Sequence, residues 1–307
     1  MSEKFFTNTF VVWAGALICC LLWGSAFPAI KIGYSIFQIE SSQIFSQILF
    51  AGIRFFLAGG LAVIIGSITR RCFLFPKKEA WGKVLKLSSF QTIGQYIFFY
   101  IGLAFTTGVR GSIVEGTNVF VAIFIASLIF HQEELTKRKL IGTVMGFSGV
   151  VLINLSGNSL GGEGLLWLGD LLVFASTFCY AISSVLLKRY SVAEDPVTMS
   201  GYQFIIGGVI MTIIGLLGGG TLPVVTVQGI WLLLYLAFVS AVAYSLWGIL
   251  LKYNPISKVA VFGFMNPVFG VILSAIFLNE GSVLGLTSVA ALLLTSAGIF
   301  IVNSAKK

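Results

Sequence analysis

The stretch FVVWAGALICCLLWGSAFPAIKI, residues 10–32, holds one charged side chain, Lys31, in an otherwise apolar and small-residue run. About 20 such residues in a helix cover the hydrocarbon core of a bilayer, so this run is long enough to cross one. It is too long for the apolar region of a signal peptide, no cleavage site is evident after it, and it is expected to be retained. Working outward with a window of about 19 residues, the chain reads as ten spans, at 10–33, 46–68, 84–106, 111–131, 139–156, 165–187, 197–219, 230–252, 258–278 and 283–303. The connections are too short to hold a further folded domain. The fold class expected is an all-α polytopic membrane protein.

The composition agrees. Of 307 residues, 57% are apolar and 10% charged, whereas about a quarter of a soluble domain is charged. That argues against a soluble enzyme, a nucleic-acid binder or a disulfide-built secreted scaffold. The net charge of +8 reports topology instead, because Lys and Arg gather in cytoplasmic loops. With the N-terminus inside, 16 of the 19 basic residues fall inside, Lys31 and Arg110 outside, and Arg54 within a span. An even number of spans with both termini cytoplasmic follows. Of the cysteines, Cys19, Cys20 and Cys179 lie in apolar runs and Cys72 in a basic loop, a spacing that fits neither a disulfide framework nor a metal site. No metal and no cofactor are expected.

The two halves, 1–156 and 157–307, echo each other. Trp23 precedes Lys31 by eight residues, as Tyr180 precedes Lys188. Asn118 is followed by Glu133 after fifteen residues, and Asn266 by Glu280 after fourteen. The halves end in Gly149-Val-Val-Leu-Ile-Asn154 and Gly298-Ile-Phe-Ile-Val-Asn303, and Arg54-Phe-Phe-Leu-Ala-Gly-Gly parallels Gln203-Phe-Ile-Ile-Gly-Gly. Five spans is an odd number, so a second half of the same design sits inverted, the arrangement of many secondary transporters.

The chain resembles the drug/metabolite transporter superfamily, in its EamA branch. The resemblance rests on Trp23-Gly-Ser-Ala-Phe-Pro-Ala-Ile-Lys31, Arg54-Phe-Phe-Leu-Ala, Phe130-His-Gln-Glu-Glu-Leu-Thr136, Tyr180-Ala-Ile-Ser-Ser, Asn266-Pro267, Leu278-Asn-Glu280 and the glycine-bearing last helix. It implies ten helices in two inverted five-helix repeats, moving small metabolites, often amino acids, commonly outward. One departure concerns Val119, where the first repeat often carries Pro. Span 4 is therefore not expected to owe a kink to proline, whereas Pro267 is expected to kink span 9.

Charged residues inside spans are costly when they face lipid. Arg54 lies about 12 Å below the outer surface at about 1.5 Å per residue, and Glu115 enters from the same side. Two readings stand: an ion pair that locks two helices, or a pair of anchors in which Arg54 holds a substrate carboxylate and Glu115 an amine or a proton. Lys31 is expected to snorkel to the outer interface, Asp170 to be interfacial, and the lone His131 to sit at a solvated helix end. Further candidate substrate-binding residues are Trp23, Gln91, Gln95, Tyr96, Asn118, Tyr180, Tyr244, Trp247 and Asn266, polar or aromatic side chains of the kind that line small-molecule sites. Gln91 and Gln95 are one turn apart on one helix face. Trp23 and Phe27, followed by Pro28, mark an expected gate. Gly142-x-x-x-Gly146 permits close helix packing, within a monomer or in a weak homodimer.

No Walker A sequence, His-Glu-x-x-His or Gly-x-Ser-x-Gly occurs, which argues against ATP-driven transport and an intramembrane hydrolase. The expectation is a non-enzymatic secondary transporter of the plasma or inner membrane. It would export amino acids or related small metabolites by alternating access, with proton coupling as an open element. A lipid head-group flippase or membrane enzyme is the alternative, and a passive channel the third reading.

Overall fold

The computed structural model describes residues 3–130, 134–156, 166–190, 193–254, 261–279 and 285–303. Among these every regular element is helical. After a turn at Glu3–Thr7, the chain forms α1 (Thr9–Phe37) and α2 (Ile44–Arg70). Next comes α3 (81–105), whose middle, Ser88–Gly94, is a π-helical segment. Two pieces, Gly108–Glu115 and Asn118–Phe124, make up α4, followed by a π turn at Ile125–Ile129. Then come α5 (Lys137–Ser156), α6 (Leu166–Tyr190), α7 (Pro196–Leu217), α8 (Val227–Tyr253), α9 (Met265–Phe277) and α10 (Leu286–Asn303). Among the described residues, five stretches are long and apolar enough to cross a membrane: Thr9–Phe37, Ile44–Arg70, Leu166–Leu187, Pro196–Leu217 and Val227–Leu250.

Helix ends are set by local chemistry. Asn8, Thr107, Asp195 and Thr226 each accept a backbone N–H of the first turn they cap, which satisfies donors a helix start leaves unpaired. Gln38 and Arg71 close α1 and α2 in the left-handed conformation, with φ of 54° and 53°. Large apolar side chains such as Phe10, Trp13, Ile68, Leu216, Trp231 and Leu286 point outward. An apolar outer surface of this extent is what a bilayer covers.

Inside, small residues let backbones touch. Gly52 and Gly59 on α2 face Gly201, Gly208 and Gly215 on α7, with α2 and α7 antiparallel. A Cβ on Gly208 would fall 2.3 Å from Phe56 N, and one on Gly215 2.8 Å from Leu49 Cα. These glycines recur every seven residues, two turns of helix, and so share one face. The Gly142-x-x-x-Gly146 face is likewise used internally: a Cβ on Gly298 of α10 would lie 2.4 Å from Gly142 O.

Pro267 is the third residue of α9, which follows directly on a 3-10 turn at Val261–Phe264, so the helix type changes within the turn that precedes the proline. Helix α4 breaks without a proline, at Gly116–Thr117, where the Thr117 hydroxyl turns back to the carbonyl of Val114 (2.7 Å). Helix α1 runs unbroken through Pro28. Asp170 and Arg110, near the starts of α6 and α4, are both buried and form an ion pair (Nη2–Oδ2 2.6 Å) joined by the Thr106 hydroxyl (2.5 Å). His131, Glu133, Lys258, Glu280 and the junction between the two halves lie outside the described residues.

Where α2 ends and α7 begins, charges cross between the halves. Arg70 pairs with Asp195, Lys83 with Glu194 (2.7 Å), and the Tyr202 hydroxyl donates to the carbonyl of Leu74 (3.1 Å). Asp195 also caps α7 through Thr198 N (2.9 Å). Asp195→Ala is expected to lower stability by about 1–2 kcal/mol, mostly through the lost cap. Arg70→Ala should cost under about 1 kcal/mol, because a partly exposed pair is weak. Thermal unfolding of the two purified variants, with Asp195→Ala the less stable, checks the ranking.

Candidate functional site

Two charged side chains lie deep in the bundle, and they do not meet. Arg54 on α2 is 2% exposed. Its Nε donates to the carbonyl of Leu236 (3.2 Å), Nη2 to Ser240 Oγ (2.9 Å) and Nη1 to the Tyr100 hydroxyl. The guanidinium carbon stands 4.9 Å from the ring centre of Phe55 and 5.8 Å from that of Tyr100, within reach of both π faces. Every one of these partners is neutral.

Glu115 ends the first piece of α4. Its Oε1 accepts from Asn118 Nδ2 (2.7 Å) and its Oε2 from Asn266 Nδ2 (3.2 Å). Asn118 opens the second piece of α4, and Asn266 is the second residue of α9, directly after a 3-10 turn at Val261–Phe264. Among the described residues no cation forms an ion pair with this carboxylate. The expected alternative of an Arg54–Glu115 lock is therefore corrected.

What separates the two is a tyrosine pair. The hydroxyls of Tyr96 on α3 and Tyr244 on α8 are 2.7 Å apart, and Tyr96 is within electrostatic reach of both Arg54 and Glu115. The sequence explains the line-up. Tyr96 and Tyr100 are spaced by four on α3 beyond its π segment, as are Leu236, Ser240 and Tyr244 on α8, so each set shares a face. Rings close around it: Phe55–Tyr96 at 4.2 Å between centres, Phe55–Phe204 at 5.2 Å, Phe204–Tyr244 at 5.0 Å, Trp23–Tyr244 at 5.4 Å and Trp23–Trp247 at 5.2 Å.

The two ends differ in access. Arg54, Tyr100 and Ser240 are sealed, whereas Glu115, Asn118, Asn266, Trp23, Trp247 and Tyr180 are each half-buried. Tyr180 of α6 and Cys20 of α1 also lie within electrostatic reach of Glu115. Trp23 Nε1 and Asn266 Oδ1 are buried without a hydrogen-bond partner, a state that ordinarily costs free energy.

Nine of the eleven candidate residues thus share one region. Gln91 and Gln95 are buried as well, and their Oε1 atoms, like Trp23 Nε1 and Asn266 Oδ1, have no partner. Gln91 lies in the π segment and Gln95 follows it. There the Gln95 N–H reaches back five residues to Phe90 O, which breaks the four-residue register that would have aligned positions 91 and 95. Ser240 and the Arg110–Asp170–Thr106 cluster were not legible as candidates, since nothing in Phe238-Val-Ser-Ala-Val sets that serine apart.

A bundle of apolar helices around a charged, aromatic-lined interior defines a multi-pass membrane protein built to handle a small molecule. Residues 11–155 and 167–304 match the EamA-like transporter family, and the chain belongs to that family. It is 29% identical to an "Uncharacterized transporter" of Archaeoglobus fulgidus, over 90% of this chain and 94% of that one. It is 30% identical to the "Uncharacterized transporter YvbV" of Bacillus subtilis, over 94% and 90% of the two chains. It is 26% identical to a "Probable amino-acid metabolite efflux pump" of Escherichia coli, over 93% and 92%. A solved crystal structure at 15% identity superposes with a TM-score of 0.65, covering 94% of this chain and 95% of the other, and so shares the fold. The protein is a membrane transporter and not an enzyme.

Proposed function

We propose that the protein is a secondary transporter of the plasma or inner membrane that exports amino acids or related small metabolites by alternating access. The observation that carries this reading is Glu115, a half-buried carboxylate held by two side-chain amides, with no cation paired to it among the described residues. A small solute's amine, or a proton, is what such a group takes up, and the two compete for it. The groups facing it are Cys20, Tyr96, Asn118, Tyr180, Tyr244 and Asn266.

Ten spans in two inverted halves, 1–156 and 157–307, with both termini cytoplasmic, complete the proposal. Helix pairing supports it: α1 packs on α8 and α9, as α6 packs on α3 and α4. The pairs α2–α7, α4–α9 and α5–α10 map onto themselves when each helix is exchanged for the one five along. The name carried by the Escherichia coli relative points to the same substrate class.

Metabolite profiling of medium and cytoplasm tests the reading, comparing cells that express the wild type, Glu115→Gln or neither. A small set of nitrogenous solutes should accumulate outside with the wild type alone, and Glu115→Gln should lower the flux at least tenfold at equal protein in the membrane. The wild-type flux should respond to an imposed pH gradient. A tightly held lipid with no soluble solute moved would replace this reading with a head-group flippase.

A further inference from the structure

We infer that the site recognises a cationic amine and does not need the substrate's carboxylate, so that amines lacking a carboxylate are substrates alongside amino acids. The inference rests on the transporter reading and narrows it.

A zwitterion would be expected to use both charged residues, but only one of them is presented. Arg54 is sealed, its guanidinium already donates to Leu236 O, Ser240 and Tyr100, and the Tyr96–Tyr244 pair stands between it and Glu115. Its positive charge is spread over neutral oxygens and two ring faces, which is what a helix-joining arginine does. The accessible end offers an anion at Glu115. Around it Tyr180 and Tyr244 lie within electrostatic reach, and Trp23 and Trp247 continue the aromatic wall from Tyr244. Aromatic faces attract an ammonium group and repel a carboxylate. The unpartnered Asn266 Oδ1, on the amide that holds Glu115, is a further acceptor. Trp23 Nε1 is a neutral donor, suited to a hydroxyl or carbonyl and too weak to demand a full anion. The chemistry on the Glu115 side thus selects positive charge on an apolar body.

Three probes on one skeleton separate the readings: phenylethylamine, phenylalanine and 3-phenylpropionate, carrying a cation, a zwitterion and an anion. Binding to the purified full chain in lipid nanodiscs is read from tryptophan fluorescence, and export from loaded proteoliposomes is measured in parallel. The amine should bind at least as tightly as phenylalanine, with 3-phenylpropionate at least tenfold weaker, and the amine should be transported. Glu115→Gln should weaken amine binding at least tenfold. Trp247→Leu, which leaves the carboxylate in place, should weaken it severalfold. Phenylalanine binding tenfold tighter than the amine would overturn the inference while leaving the transporter reading intact, as would equal binding of the anion. Failure of all three to bind would overturn it too. Amine binding with no nitrogenous solute exported would uphold the site and overturn the transporter reading instead.

Discussion

Asp170→Ala is expected to destabilise the protein by about 3–5 kcal/mol, the range seen when one partner of a buried ion pair is removed. Asp170 accepts from Arg110 through both Nε (3.1 Å) and Nη2 (2.6 Å) and from the Thr106 hydroxyl (2.5 Å), with both charged side chains 5% exposed. The variant removes a carboxylate that accepts from two of the guanidinium's nitrogens where both side chains are buried. The contact is also where α3 and α6 come closest, since a Cβ on either Gly102 or Gly169 would sit 2.8 Å from the other's carbonyl oxygen. Removing both partners, as Arg110→Met with Asp170→Leu, should recover much of the loss, because a well-packed apolar pair often replaces a buried ion pair at little cost. Unfolding of the purified variants decides it. An Asp170→Ala protein within about 1 kcal/mol of wild type would show that the pair is not buried as described.

Gly208→Val should also be damaging. The added Cβ would lie 2.3 Å from Phe56 N and 2.8 Å from Gly52 O, and backbone atoms cannot swing aside as a side chain can. The α2–α7 seam must open, and overpacking that moves backbone commonly costs about 1–3 kcal/mol or more. Because α2 carries Arg54 and α7 carries Phe204, the ring of contacts around the tyrosine pair opens with it. Gly60→Ala on the same α2 is the contrast. Nothing lies within 4 Å of its added Cβ, and alanine is the better helix former, so that variant should be neutral or slightly stabilising. Yield of folded, monodisperse protein, followed by unfolding, compares the two. Equal behaviour would refute the seam.

Much of this was legible beforehand, and the reasons for the remainder are physical. Hydropathy located the helices because only a long apolar run meets the demand of a bilayer, and the limits of α2 and α7 fall within about two residues of expectation. Glu115 was identifiable because a carboxylate in an apolar run needs a reason. The glycines at 52, 59, 201, 208 and 215 were equally visible, although their partner helix was not. The four-residue spacings of Tyr96 with Tyr100 and of Ser240 with Tyr244 acquire meaning only once α3 and α8 face one another. Gln91 and Gln95 do not keep the one-turn alignment their spacing suggests, because the π segment shifts a register that the residues themselves do not announce. Arg110 and Asp170 sit 60 residues apart in the chain, so nothing local told that each would bury the other.

The Tyr96–Tyr244 pair has one property that packing alone does not convey. Either hydroxyl can donate to the other, so the bond has two senses, which interchange by turning two hydrogens while every heavy atom stays put. The pair lies within the fields of both Glu115 and Arg54, and the charge carried by Glu115 biases which sense costs less. A change of charge on that carboxylate would therefore favour one sense over the other before any helix had moved.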